Sequence, residues 1–90
     1  MNIGSFDVKI HRMFRFSDEK PLKAFVDICV NDALIIKGIK IIDGKQGLFV
    51  SMPQEQGKNK RWYENVRCVN KGIREYLEEI VLENYHSQSN

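Results

Sequence analysis

Two cysteines, two histidines and no apolar run long enough to cross a bilayer close several function classes to this 90-residue chain. Cys29 and Cys68 stand 39 positions apart and could form one disulfide at most. Met1–Ser5 lacks a positive region followed by an apolar stretch, so no signal peptide is read and a reduced cytosolic pair is expected. No apolar run approaches the ~20 residues of a membrane span. The expectation is a soluble, cytoplasmic protein with no membrane partner. Zinc needs Cys and His clustered at short spacings. Cys29, Cys68, His11 and His86 offer none, so neither a metal site nor a cofactor is expected. His11 falls on the polar side of a strand and His86 near a helix end.

Catalytic sets are missing too. Gly38, Gly44 and Gly47 lie within and between strands, whereas a phosphate loop needs its glycines between a strand and a helix N-terminus. Asp7, Asp27, Asp32 and Asp43 scatter over strand faces and turns. Asp27 sits among core-forming strands and, if half-buried, requires a partner such as Lys9, Lys23 or Lys40. With no acid–base or nucleophile set, the chain does not read as an enzyme. Charge excess is also small: +2 overall with a pI near 8.6, which by itself does not indicate nucleic acid.

What is present is period-2 patterning. Phe6, Val8 and Ile10 share one face of a strand ending near Arg12, and Asp7, Lys9 and His11 the other. Arg15–Pro21 reads as a connection. Leu22–Val30 alternates again, with Leu22, Ala24, Val26, Ile28 and Val30 on the apolar face. Asn31-Asp32 is a turn-forming pair. Ala33–Ile42 is too apolar for simple alternation and is read as a central strand, or one at an interface, with both faces covered. Asp43–Gly47 is a turn in which Asp43-Gly44 suits a type I′ geometry. Leu48–Met52 is a fourth strand, ended by Pro53. Gln54–Lys60 has no apolar residue and reads as a solvated loop or flexible arm. Trp62–Val69 is a weaker fifth strand.

From Asn70, a suitable N-cap, the period turns helical. Ile73, Tyr76, Leu77, Ile80, Val81 and Tyr85 follow one stripe. Lys71 with Glu75, and Arg74 with Glu78, fall at i, i+4. No repeat or low-complexity tract interrupts this order. The expected architecture is α+β: an antiparallel sheet of four to five strands followed by a C-terminal amphipathic helix. It is read as a single domain over 1–90, frayed at 1–5 and 87–90. Such a chain buries roughly 60–65% of its unfolded surface. That modest core, with the apolar excess of Ala33–Ile42, predicts a homodimer.

One segment carries binding chemistry. Gly57–Arg67 holds Lys58, Lys60, Arg61 and Arg67 against a single acid, Glu64, while Glu75–Glu83 holds four acids and no base. Cations attract phosphate regardless of sequence, and the adjacent Trp62 and Tyr63 could stack on unpaired bases. The competing reading is a solvated hairpin loop with Trp62 packed in the core. No side-chain set for reading base edges is visible, so strong sequence specificity is not expected.

Ile39–Gly44 followed by Gly47-Leu48-Phe49-Val50-Ser51-Met52-Pro53 resembles the most specific segment of the stage V sporulation protein G (SpoVG) family. Phe6–Ile10, Leu22–Ile28, Val69-Asn70, Ile73-Arg74 and Val81–His86 extend the resemblance over about residues 6 to 86. The resemblance implies a small, cytoplasmic, non-enzymatic and commonly dimeric regulator that binds DNA, in some cases RNA. It also implies a link to sporulation and septation. Family members usually carry a basic pair one residue after Ser-Met-Pro; here those positions hold Glu55 and Gln56. Arg67-Cys68 replaces the family's His-Pro and adds a cation. Lys58, Lys60, Arg61 and Arg67 are therefore the expected contacts, with Lys71 and Arg74 in second rank. The alternative is a protein-interaction module acting on division machinery without nucleic acid, favoured by Glu55-Gln56 and the acidic helix face.

Overall fold

The alternating segments fold as β1 (Val8–Arg15), β2 (Leu22–Val30), β3 (Leu34–Gly44) and β4 (Gly47–Ser51) in a computed structural model that describes residues 6–17 and 19–87. They form one antiparallel sheet in the order β1-β2-β3-β4. A separate two-stranded sheet joins β5 (Gln54–Gln56) to β6 (Trp62–Glu64), and α1 (Lys71–Ser87) closes the chain. This is the α+β arrangement that the change of period predicts.

Alternation decides which face is dry. Ala24, Val26 and Ile28 of β2, Ile39 and Ile41 of β3, and Val50 of β4 are buried beneath Leu77 and Val81 of α1. The helix covers one sheet face only, giving a two-layer molecule 22 Å thick in its shortest direction. Among the described residues no polar side chain is buried. No helix among them is long and apolar enough to cross a membrane.

The β2–β3 turn has a specific chemistry. Asn31 and Asp32 both take φ of 53°, and Ala33 N–H donates to Val30 O at 2.9 Å, as a type I′ turn requires. Asn tolerates this region because its short amide bonds locally. Here Asn31 Oδ1 accepts the Asp7 N–H at 2.7 Å, and Asn31 N–H donates to Asp7 O at 2.8 Å, pinning the entry to β1. Asn31→Ala is expected to lose about 1–2 kcal/mol in urea denaturation, from the lost bond and the left-handed strain. Lys9 Nζ lies 3.2 Å from Asp32 and 3.9 Å from Asp7. The Asp32 hydrogen bond, then the Asp32 and Asp7 charges, raise Lys9 above its ordinary 10.5. This contribution is present at neutral pH and is lost as pH rises through that raised value.

Several sequence expectations are corrected. β1 starts at Val8 and runs on to Arg15, so the connection to β2 begins later. β3 is central as read, but its second face is open within the chain, leaving Ile35 exposed. Gly44 remains in β3 and pairs with Gly47, which takes the positive φ of 113°, while Lys45-Gln46 makes the turn. A Cβ on Gly44 would lie 2.9 Å from the Phe49 ring. Asp27 is half-buried, and its carboxylate accepts the Gly38 N–H at 3.2 Å. Gly38, at φ 86°, sits in the bulge of β3 opposite Asp27, so a backbone amide supplies the partner expected from a lysine.

Gln54–Lys60 is not a free arm. It forms β5 and part of a hairpin loop, although Gln54, Glu55 and Gln56 are all exposed. Absence of apolar residues reports solvation correctly, but backbone pairing needs no apolar face. The fifth strand shortens to Trp62–Glu64 and joins β5 rather than the main sheet. Asn70 caps α1 as expected: its Oδ1 accepts the Ile73 N–H at 3.2 Å. At the other end the Arg15 guanidinium donates to Asn84 O and Tyr85 O and lies 4.4 Å over the Tyr85 ring, opposing the negative end of the helix dipole. Ser87 is the last residue of α1. The fraying expected at 1–5 and 88–90 lies outside the described residues.

Candidate nucleic-acid interface

The hairpin β5–β6 presents the basic segment on a braced loop. Gly57 N–H donates to Arg61 O at 2.8 Å and Lys60 N–H to Gly57 O at 3.0 Å. Lys60 takes a φ of 67°. Asn59 Oδ1 accepts the Arg61 N–H at 3.0 Å, the local turn that Asn side chains favour, and Asn59 Nδ2 donates to Tyr63 Oη at 2.8 Å. Gln56 Nε2 donates to Lys60 O at 3.1 Å. Below the loop, Asn65 N–H donates to Pro53 O at 2.8 Å and closes the hairpin base.

Strand pairing separates the two aromatics. Tyr63 stands opposite Glu55, and Trp62 opposite Gln56, so the rings occupy opposite faces of the hairpin. Tyr63 covers Gly57, where an added Cβ would lie 2.8 Å from its ring and 3.2 Å from Asn59 Oδ1. Trp62 is 61% exposed, which removes the reading that it packs in the core. Gly57→Ala is expected to displace Tyr63, break its bond to Asn59 and lower stability by about 1 kcal/mol. Thermal denaturation, with NMR of the Asn59 side-chain amide, checks this.

The six cations fall into two groups. Lys58, Lys60 and Arg61 share the loop from Gly57 to Arg61, and Arg67 is exposed on the segment leading to α1. None of these four is ion-paired among the described residues. Lys71 and Arg74 instead sit on the first turns of α1, paired with Glu75 at 3.9 Å and Glu78 at 3.5 Å. Their charge is partly answered within the helix. Glu55 shares the Tyr63 face and receives Asn65 Nδ2 at 3.5 Å. The loop-building roles of Gln56, Gly57 and Tyr63 leave no signal in the sequence; only the Asn59 turn has a local one.

Next to Arg67 an open apolar groove of about 340 Å³ runs between the β2–β3 end, Met52 and the start of α1, lined by Phe6, Val30, Ile36 and Leu77 among others. Leu34 and Val69 on its rim are 58% and 92% exposed. Cys29 and Cys68 are half-buried, unbridged thiols. Among the described residues no group of His, Cys, Asp and Glu could hold a metal ion.

Comparison with known proteins gives a consistent result. The SpoVG family profile matches residues 1–87. A protein of Lachnospira eligens is 32% identical over 85 residues, covering 94% of this chain and 91% of its own. One from Borrelia hermsii is 31% identical over 85 residues, covering 94% and 86%. One from Agathobacter rectalis is 28% identical over 82 residues, covering 91% of each. All three bear the name "Putative septation protein SpoVG", which describes no enzyme activity. With profile and relatives both spanning nearly its whole length, the chain belongs to the SpoVG family.

Proposed function

We propose that the chain is a small, cytoplasmic, dimeric nucleic-acid-binding regulator, for DNA and also RNA, linked to septation and sporulation. The observation that supports it best is the braced loop carrying Lys58, Lys60 and Arg61, exposed and without carboxylate partners, beside exposed Trp62. Phosphate neutralisation is the main role of these residues and of Arg67, with Lys71 and Arg74 secondary. Dimerisation is supported by the apolar groove and its exposed rim residues Leu34 and Val69. A two-fold contact there doubles the basic surface.

The second reading, a module that binds division proteins without nucleic acid, is favoured by exposed Glu55 and by the acids Glu75, Glu79 and Glu83 of α1. Binding of labelled DNA and RNA across a salt series separates the two. Wild-type protein that binds neither at about 50 mM salt removes the first reading. A monomer by light scattering removes the dimer.

A further inference from the structure

Four of the chain's five phenylalanines stand on the sheet face that α1 leaves open. Phe14 alternates with Met13, which packs on the core, and Phe25 with buried Ala24 and Val26. Phe49 alternates with buried Val50. The Phe16 ring meets Phe25 edge-on, with centroids 5.5 Å apart. Only Phe6 turns to the helix, against Tyr76. Phe14 is 59% exposed and Phe49 46%.

These rings are interleaved with cations. Phe14 pairs with Phe25, Phe25 with Lys40, and Lys40 with Ser51, which makes one row across all four strands. Arg12 and Asp27 form the neighbouring pair, and Ile42 with Phe49 lies on the other side. Arg12 and Lys40 have no acid partner among the described residues. Asp27, the acid beside them, already accepts the Gly38 N–H.

We propose that the open face of the β1–β4 sheet is a stacking platform for single-stranded nucleic acid. Phe14, Phe25 and Phe49 take unpaired bases, and Arg12 and Lys40 take phosphates. The inference rests on the nucleic-acid reading above and assigns that reading a second, chemically different surface. Sheet aromatics stack on bases that are free of a duplex, and stacking tolerates any base. A duplex hides its base faces and gains nothing from the rings. An apolar protein partner would bury Arg12 and Lys40 without answering their charge. A second copy placed there by a two-fold axis would bring its own Arg12 and Lys40 into the same buried interface and add no phosphate to answer them. A single strand supplies both the base faces on which these phenylalanines stack and the anions that Arg12 and Lys40 lack.

The test uses the full chain, a labelled oligouridylate and oligothymidylate of roughly 12 nucleotides, and a duplex of similar length, at about 50 mM salt. Phe14→Leu with Phe49→Leu keeps both sites apolar but removes the π faces. It is expected to weaken single-strand binding by about 10-fold and to leave duplex binding within about 2-fold. Lys58→Ala, Lys60→Ala and Arg61→Ala together are expected to weaken both. Wild-type protein photo-cross-linked to a 4-thiouridine strand is expected to carry the label on β1, β2 or β4. The inference is overturned if the leucine variant leaves single-strand binding unchanged, or lowers single-strand and duplex binding equally. Cross-links confined to 57–67 also overturn it, as does a leucine variant whose defect is loss of self-association by light scattering. A wild-type chain that binds no nucleic acid removes this inference and the parent reading together; each other outcome bears on the sheet face alone.

Discussion

Changing Lys58, Lys60 and Arg61 together to alanine is expected to lower nucleic-acid affinity by about 10- to 100-fold at low salt while leaving the fold intact. Each lost phosphate contact also removes a released counterion. The slope of log affinity against log salt should therefore flatten by about 2 on single strands and nearly 3 on duplex. The three side chains are exposed and carry no ion pair, so denaturation should shift by no more than about 0.5 kcal/mol. Lys71→Ala with Arg74→Ala should have a smaller effect on binding, because Glu75 and Glu78 already offset those charges. A fluorescence-anisotropy titration at several salt concentrations reads affinity and slope together. An unchanged slope in the triple variant would reject the loop as the phosphate-binding element. The pairing pattern of α1 would be contradicted if Lys71 and Arg74 dominated.

Ile39→Ala is expected to cost about 2–5 kcal/mol. Ile39 is fully buried, paired with buried Val26 and flanked on its own face by Ile41. Its strand is hydrogen-bonded on both sides, to β2 and to β4, so the backbone cannot collapse into the vacated space. A chain of this length has about 5–13 kcal/mol of stability in total, and one methyl-rich side chain is a large share of it. Ile39→Val should cost only about 0.5–1.5 kcal/mol. Ile35→Ala, on the open face of the same strand, should cost under about 1 kcal/mol, since Ile35 is already partly in water. Urea denaturation of the three variants checks the order. Equal losses at positions 35 and 39 would mean that the open face is covered, as the apolar excess of this strand first suggests.

Most of the main sheet was legible because its signal is local. Leu22–Val30 shows its dry face by alternation alone, and Asn31-Asp32 announces a turn that needs positive φ at both positions. Asn70 and the stripe from Ile73 to Tyr85 likewise mark α1. The second hairpin is legible only as a solvated hairpin loop beside a weak strand at Trp62, because Gln54–Gln56 and Trp62–Glu64 pair through backbone groups with no buried side to leave a periodic trace. Asp27, among core-forming strands, reads from the sequence as a group needing a partner. Its partner depends on a bulge around Gly38 that no composition reveals.

The candidate site divides in the same way. Lys58, Lys60, Arg61 and Arg67 are visible as a run of like charge, and their family context is visible in the Ile39–Pro53 segment. Which cations are unpaired depends on the i, i+4 geometry of α1 and on the loop that Asn59 and Tyr63 brace. Amino-acid order by itself determined the strand periods of the main sheet, the Asn31-Asp32 turn, the helix and its cap, since each depends on residues a few positions apart. Only tertiary structure decided that Trp62 is exposed, that β3 keeps one open face, and that Phe14, Phe25 and Phe49 gather on it. Those outcomes depend on which side of the sheet a single helix covers, and that is set by contacts between residues distant in the chain.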